Sequence, residues 1–169
     1  MIVKLAQTIA DYLSNLPKGW ITLILAMLPI LELRGAIPVA ILSMHQPLLK
    51  TLALSIFGNL IPVVPLLCFL GPVSRSLRRF RFWRGFFEWL FNRARRRAEV
   101  VQRYEALGLV LFVAIPLPIT GAWTGCVVAS LFKIRFRYAF CAIAAGVIVA
   151  AFIVTIITLG GKSLVQAIF

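Results

Sequence analysis

The sequence predicts an all-α integral membrane protein made of two inverted halves. Each half is a broken, re-entrant helical hairpin followed by a transmembrane helix, and a basic amphipathic helix joins them. Three observations carry this prediction. Hydrophobic residues make up 62% of the 169-residue chain, and its mean hydropathy is +0.99. Soluble domains are only about 45–50% apolar, and a core of this size cannot hide the excess. Second, the apolar sequence falls into bilayer-length segments, two of which are broken by prolines and glycines. Third, the formal net charge of +13 is concentrated in one place, since ten of the eighteen basic residues are arginines between Arg75 and Arg103.

The chain reads as one membrane domain over residues 1–169. In residues 1–19, Leu5, Ile9, Tyr12, Leu13 and Leu16 recur at helical spacing among polar residues. That pattern predicts a short helix lying in the membrane interface rather than a signal peptide. The first half is residues 20–70. Its broken segment, 20–44, is long enough to span, yet Pro29 and Pro38 interrupt it and Gly35 stands between them. Proline removes a backbone donor and clashes with the preceding turn. Glu32 and Arg34 lie near the middle of this segment, where a charge costs about 2.5–3.5 kcal/mol. At a spacing of two they would point to nearly opposite sides of a regular helix. In a non-helical turn they could meet, or each could pair with another element. They either pin the turn or line a substrate or proton path. Arg34 suits an anionic headgroup, because a guanidinium matches phosphate in a bidentate fork. Glu32 suits proton carriage, because burial raises a carboxyl pKa. A continuous span follows over 48–70, with Asn59 near its middle as a donor and acceptor turned toward protein.

Residues 71–105 form the basic linker. Phe87, Leu90, Phe91, Ala94, Ala98 and Val101 make one apolar stripe, opposite Glu88, Arg93, Arg96, Glu99 and Arg103. A basic amphipathic helix rich in aromatics predicts anionic membrane lipids as partners, and no nucleic acid. The positive-inside rule places the linker in the cytoplasm. The second half is residues 106–169, with a broken segment at 107–132 and a span at 138–159. Pro116, Pro118, Gly121 and Gly125 break the helix, while Thr120 and Thr124 place hydroxyls where backbone hydrogen bonds are lost. Such backbone survives at membrane depth only inside protein or beside a water-filled cavity. If 107–132 dips in and returns, Lys133, Arg135 and Arg137 stay on the linker's side. The first half then begins outside and the second inside, the inverted pair of secondary transporters. The two broken segments are expected to meet near the midplane, with Trp123 packing on substrate or closing the cavity.

Three stretches look familiar together: ELRGAIP at Glu32–Pro38, GNLIPVVPLL at Gly58–Leu67 and FVAIPLPITGAWTG at Phe112–Gly125. They resemble the small multidrug export family of prokaryotic membrane proteins, which is distantly similar to the DedA superfamily. The family commonly has glycine where Ile119 stands here. The resemblance implies that Glu32 and Arg34 occupy the family's ELRG place, and that Pro116, Pro118, Thr120, Gly121, Trp123, Thr124 and Gly125 occupy its second-loop motif. DedA-like relatives imply movement of polyprenyl-phosphate or other phospholipid carriers, proton-motive-force dependence and essential acidic and arginine residues in such segments. Their second loop carries arginines that this one lacks.

The functional expectation is a small secondary transporter, proton-coupled, that moves a lipid-linked or amphiphilic substrate such as a polyprenyl-phosphate or phospholipid headgroup. Export of lipophilic cationic drugs is the alternative within transport, and a non-transporting envelope-maintenance protein is the alternative outside it. No enzyme is expected, because neither a nucleotide-binding motif nor a serine–histidine–carboxylate set is recognisable. No cofactor or metal is expected either: there is one histidine, and Cys68, Cys126 and Cys141 lie in apolar sequence without ligand spacing. A homodimer is expected as the commonest closed oligomer. The expected location is the prokaryotic cytoplasmic membrane, with multiple passes and both chain ends outside.

Overall fold

The structure, a computed structural model, describes residues 2–69, 99–116 and 120–168; regular structure among them is entirely helical. The chain packs as two compact units, residues 1–61 with 147–169, and residues 62–146.

The first unit opens with α1 (Ile2–Tyr12) and α2 (Lys18–Met27), followed by the short α3 (Glu32–Pro38), a π-helical turn (Val39–Ser43) and α4 (Leu48–Leu60). Helix α2 ends because Leu28, which precedes Pro29, takes extended backbone with ψ 132°, as residues before proline do. The chain then turns tightly, with the Leu31 and Glu32 amides both donating to the Leu28 carbonyl, at 3.2 and 2.9 Å. At the far end of α3, Pro38 has no amide to offer, and the helix widens into the π turn. Met44 N–H donates to Val39 O at 3.0 Å and Gln46 N–H to Ala40 O at 2.9 Å. The Lys18 Nζ donates to Met44 O at 2.8 Å, so the two ends of the 18–44 segment lie side by side. Helix α2 has ten residues and rises about 15 Å, roughly half of a ~30 Å hydrocarbon core.

Glycines fix how these helices pack. A Cβ on Gly19 would meet Leu54 and Lys50, and one on Gly58 would lie 2.7 Å from Leu23 O and 3.1 Å from Ala26. Helices α2 and α4 therefore run parallel and touch closely at Gly58. A Cβ on Gly35 would lie 3.2 Å from that of Ala6. Helix α1 thus packs through Ala6 and Ala10, both buried, while Leu5, Tyr12 and Leu16 are exposed. Of the apolar stripe read from the sequence, Ile9 and Leu13 pack against the core of Ile21, Leu25, Ala26, Leu31, Ala36, Val39 and Met44. Close approach to Gly35 selects the smallest side chains for the contact and leaves the large ones outside it.

Helix α4 continues into a single apolar helix over Leu48–Phe69, 22 residues with mean hydropathy 2.1, long enough to cross a membrane. In the second unit, α5 (Glu99–Ala114) begins inside the expected linker and runs through the boundary expected at 105/106. Neither glycine nor proline stands between Glu99 and Gly108 to stop it. The rest of the linker, residues 71–98, lies outside the described residues. Helix α6 (Ala122–Leu131) ends in a Schellman motif. Lys133 takes the left-handed conformation, φ 53°, and the Ile134 amide donates to Ala129 O at 3.0 Å. Helix α7 (Phe136–Ile168) follows, and its stretch Phe136–Gly161 is the second helix apolar and long enough to span. The molecule is an all-α, multi-pass membrane protein, with two such helices among the described residues.

Candidate functional site

The central charged residues sit where the first broken segment changes direction. Glu32 is a non-glycine residue with φ 46°, a left-handed conformation that costs of order 1–3 kcal/mol and gathers at functional sites. It is also buried, with 7% of its surface exposed. The strained backbone answers the question the spacing left open. Arg34 Nη2 lies 3.9 Å from Glu32 Oε2, although residues two apart in a regular helix face away from each other. At that distance the contact is an ion pair rather than a hydrogen bond. The carboxylate and guanidinium form a compact, dipolar group held mostly out of water.

The neighbouring positions have distinct duties. Pro29 is exposed at the turn, and Pro38 hands α3 over to the π turn. Gly35 leaves room for Leu31 and Ala6, which a side chain would displace. Asn59, on α4, is 1% exposed, and its Oδ1 has no hydrogen-bond partner. Two residues that sequence reasoning passed over join it: Thr51 and Ser55 are fully buried on the same helix, with hydroxyl oxygens equally unpartnered. The signal was available as a spacing of four, Thr51–Ser55–Asn59, inside an apolar span.

The second broken segment lies in the second unit. Thr120 Oγ1 donates to Ile115 O at 2.7 Å, which restores a donor to a carbonyl left behind where α5 stops at Pro116. Residues 117–119, Pro118 among them, lie outside the described residues. Gly121 has φ 156° and ψ −168°, a region open in practice only to glycine. Thr124 Oγ1 donates to Gly121 O at 3.2 Å. Trp123 and Thr124 are half-buried, whereas Thr120 is buried. Gly125 accommodates Val113, whose Cγ2 would lie 2.7 Å from an added Cβ. The hydroxyls thus shape the bend by donating to backbone carbonyls.

Among the described residues no three His, Cys, Asp or Glu side chains come together as metal ligands. Cys126 is buried, while Cys68 and Cys141 are exposed.

No curated protein and no solved structure is significantly similar to the chain. A family model does match it, over residues 32–153, which run from Glu32 at the head of the first bend to the middle of α7. That match covers more than half of the sequence and takes in every candidate residue except Pro29; the chain belongs to the small multi-drug export proteins, a family of transporters rather than enzymes.

Proposed function

We propose that this protein is a proton-coupled secondary transporter of the cytoplasmic membrane that moves an amphiphilic, lipid-linked substrate by its phosphate headgroup. The observation that carries the reading is the buried Glu32–Arg34 pair on strained backbone within an apolar chain. An intramembrane ion pair is costly, and such residues mark substrate and ion pathways. Arg34 grips the headgroup through its fork of donors. Glu32 releases Arg34 when it takes up a proton and reclaims it when it ionises, so that headgroup binding and proton uptake alternate. Asn59 lines the path, and Thr120, Trp123 and Thr124 serve the substrate from the second broken segment. Both broken segments act as re-entrant hairpins. The shortness of α2 and α6, ten residues each, supports this, since neither can cross a hydrocarbon core of about 30 Å alone. The basic linker faces the cytoplasm on anionic lipid, and two copies associate.

The family name favours a second reading, export of lipophilic cations, with Glu32 as the binding carboxylate and Arg34 as its counter-charge. Purified protein in liposomes under a proton gradient separates the two. On the first reading, polyprenyl-phosphate or phospholipid crosses faster. Arg34→Ala loses headgroup binding, and Glu32→Gln loses gradient dependence while the fold survives. Uptake of a cationic dye without lipid movement supports the second. Folded E32Q and R34A proteins that keep full gradient-dependent lipid movement overturn the assignment and leave the pair a structural pin. Mass measurement in nanodiscs checks the dimer, which a fully active monomer would exclude.

A further inference from the structure

Threonine and serine in membrane helices usually satisfy their hydroxyls on their own backbone. This chain does so repeatedly. Thr22 Oγ1 donates to Lys18 O at 3.0 Å, and Thr158 Oγ1 donates to Val154 O at 2.7 Å. Helix α4 breaks the habit. Thr51, Ser55 and Asn59 are 0%, 0% and 1% exposed, and Thr51 Oγ1, Ser55 Oγ and Asn59 Oδ1 all lack a partner. Gln46, just before the helix, is also buried, with both its Oε1 and its Nε2 unpartnered. An orphaned polar group in a dry interior is costly, and most such groups in folded proteins are paired with protein or with water.

The spacing of the three residues bears on what could partner them. Residues four apart on a helix lie on one face, about 6 Å apart along the axis. That is too far for direct contact, but two hydrogen bonds of about 2.8 Å meeting at one water span about 4.5 Å, within reach of side chains on backbone positions so spaced. We propose that Thr51, Ser55 and Asn59, with Gln46 at its mouth, line a single file of water along the buried face of α4 that carries protons toward the Glu32–Arg34 pair. The proton-carrying part rests on the transport reading above; the hydration does not.

The direction follows from the packing of the first unit. The mouth lies where the ends of the 18–44 segment meet, beside Lys18, whose Nζ holds Met44 O. His45 and Lys50 are exposed at this end, as expected of a polar rim. Because α2 and α4 run parallel, Gly58 and Asn59 reach the level of Leu23 and Ala26, just short of the bend that leads into Glu32. Among the described residues, the titratable groups on the elements that pack with α4 are Lys18, Glu32 and Arg34, with Lys50 on α4 itself. Helix α3, which carries the ion pair, packs against α4, and the inner end of the row lies at the level of Leu23 and Ala26, near the bend that leads into it. Hydroxyl and amide groups carry no charge that would trap a proton, and they relay one by exchanging hydrogen bonds.

The test introduces single cysteines at positions 51, 55 and 59 into protein reconstituted in liposomes. Cys68 and Cys141 are replaced throughout, and Cys126 in all but one sample. The probe is a small charged methanethiosulfonate, read by intact mass. Thiols in dry apolar surroundings are inert because the thiolate is suppressed. The buried native Cys126, kept alone in that one sample, is the dry control, and His45→Cys is the exposed one. The expected result is reaction at 55 and 59 on the order of 100-fold faster than at Cys126 and within about tenfold of His45→Cys. Rates as slow as that of Cys126 overturn the file. Thr51→Val and Ser55→Ala give an independent reading without cysteine. Dry orphans would be relieved by these substitutions and the melting temperature would rise, which overturns the proposal; unchanged or lowered melting supports it. In the proton-gradient assay both variants slow proton entry severalfold, whereas Thr158→Val, which deletes a self-satisfied hydroxyl, does not. Normal labelling with no proton movement in the unaltered protein overturns the proton path together with the transport reading, and leaves the hydration standing.

Discussion

At the scale of single residues, the molecule concentrates its cost at Glu32, which is charged, buried and left-handed at once. Removing one partner of a buried pair strands the other, commonly for about 3–5 kcal/mol, whereas removing both can be close to neutral. The 3.9 Å separation and the 18% exposure of the Arg34 side chain lower the expectation here. We expect E32Q and R34Q each to destabilise the protein by about 1–3 kcal/mol and the double variant by clearly less than their sum. Reversible unfolding in detergent measures this cycle, and an additive result would mean that the two do not sense each other. Gly121 makes a second, independent case. Its φ of 156° is strained for any side chain, so Gly121→Ala should cost about 1–3 kcal/mol, read as a lower melting temperature. At this scale the sequence was informative about charge and glycine: two charges amid apolar residues, and a glycine between prolines and a helix, stand out by composition. It was silent on the Glu32 backbone angle, because nothing in ELRG distinguishes a left-handed glutamate from a helical one. Thr51 and Ser55 were overlooked because a hydroxyl in a membrane helix is ordinarily self-satisfied, and only the rotamer reveals otherwise.

At the scale of elements, close packing around glycine governs the second unit. Val113 is buried between two glycines. Added Cβ atoms would lie 2.7 Å from its Cγ2 at Gly125 and 2.7 Å from its Cβ at Gly146, and the latter would also lie 2.8 Å from Val110 O. The first clash is with the end of a side chain, the second with backbone as well. Overpacking of this kind costs about 1–3 kcal/mol. We expect Gly125→Ala and Gly146→Ala both to lower the melting temperature, and Val113→Ala to rescue the first but not the second, because shortening the valine leaves the Val110 carbonyl in place. Equal rescue of both would show that α5 shifts freely against α7. The helices themselves were largely legible: proline and glycine positions gave the breaks, and the spans expected at 48–70 and 138–159 appear as apolar helices over Leu48–Phe69 and Phe136–Gly161. The π turn after Pro38 was not legible, since VAILS would serve an ordinary helix as well. Nor was the face of α1, because the stripe of large residues disguised a contact made by Ala6 and Ala10. A contact limited by backbone approach reverses the usual rule that the largest apolar side chains are buried.

At the scale of the whole molecule, the outstanding property is the side on which each basic segment lies. The sequence speaks to it only through charge. The arginine-rich linker holds ten basic residues between Arg75 and Arg103, and Lys133, Arg135 and Arg137 follow α6. If the chain from α5 through α6 crossed the bilayer once, those three cations would face the outside, against the positive-inside rule. The apolar part of α5, from residue 106 to Ala114, rises about 13 Å, and α6, with ten residues, about 15 Å. Each is about half as long as a 30 Å core is thick, which is the length a descent and a return would need. The Schellman turn at Lys133 ends α6 sharply, with a lysine where the negative end of the helix dipole favours a cation. Anionic headgroups attract such a cluster by about 1 kcal/mol per charge, which on the re-entrant reading would favour the turn at the cytoplasmic surface. We therefore expect Arg135→Cys, in a protein otherwise free of cysteine, to resist a membrane-impermeant maleimide applied to intact cells and to react fully once the cells are opened. A cysteine in the linker at Arg78 should behave in the same way. Labelling of position 135 from outside, with position 78 protected, would make 107–132 a crossing segment, and the inverted arrangement of the two halves would fall with it.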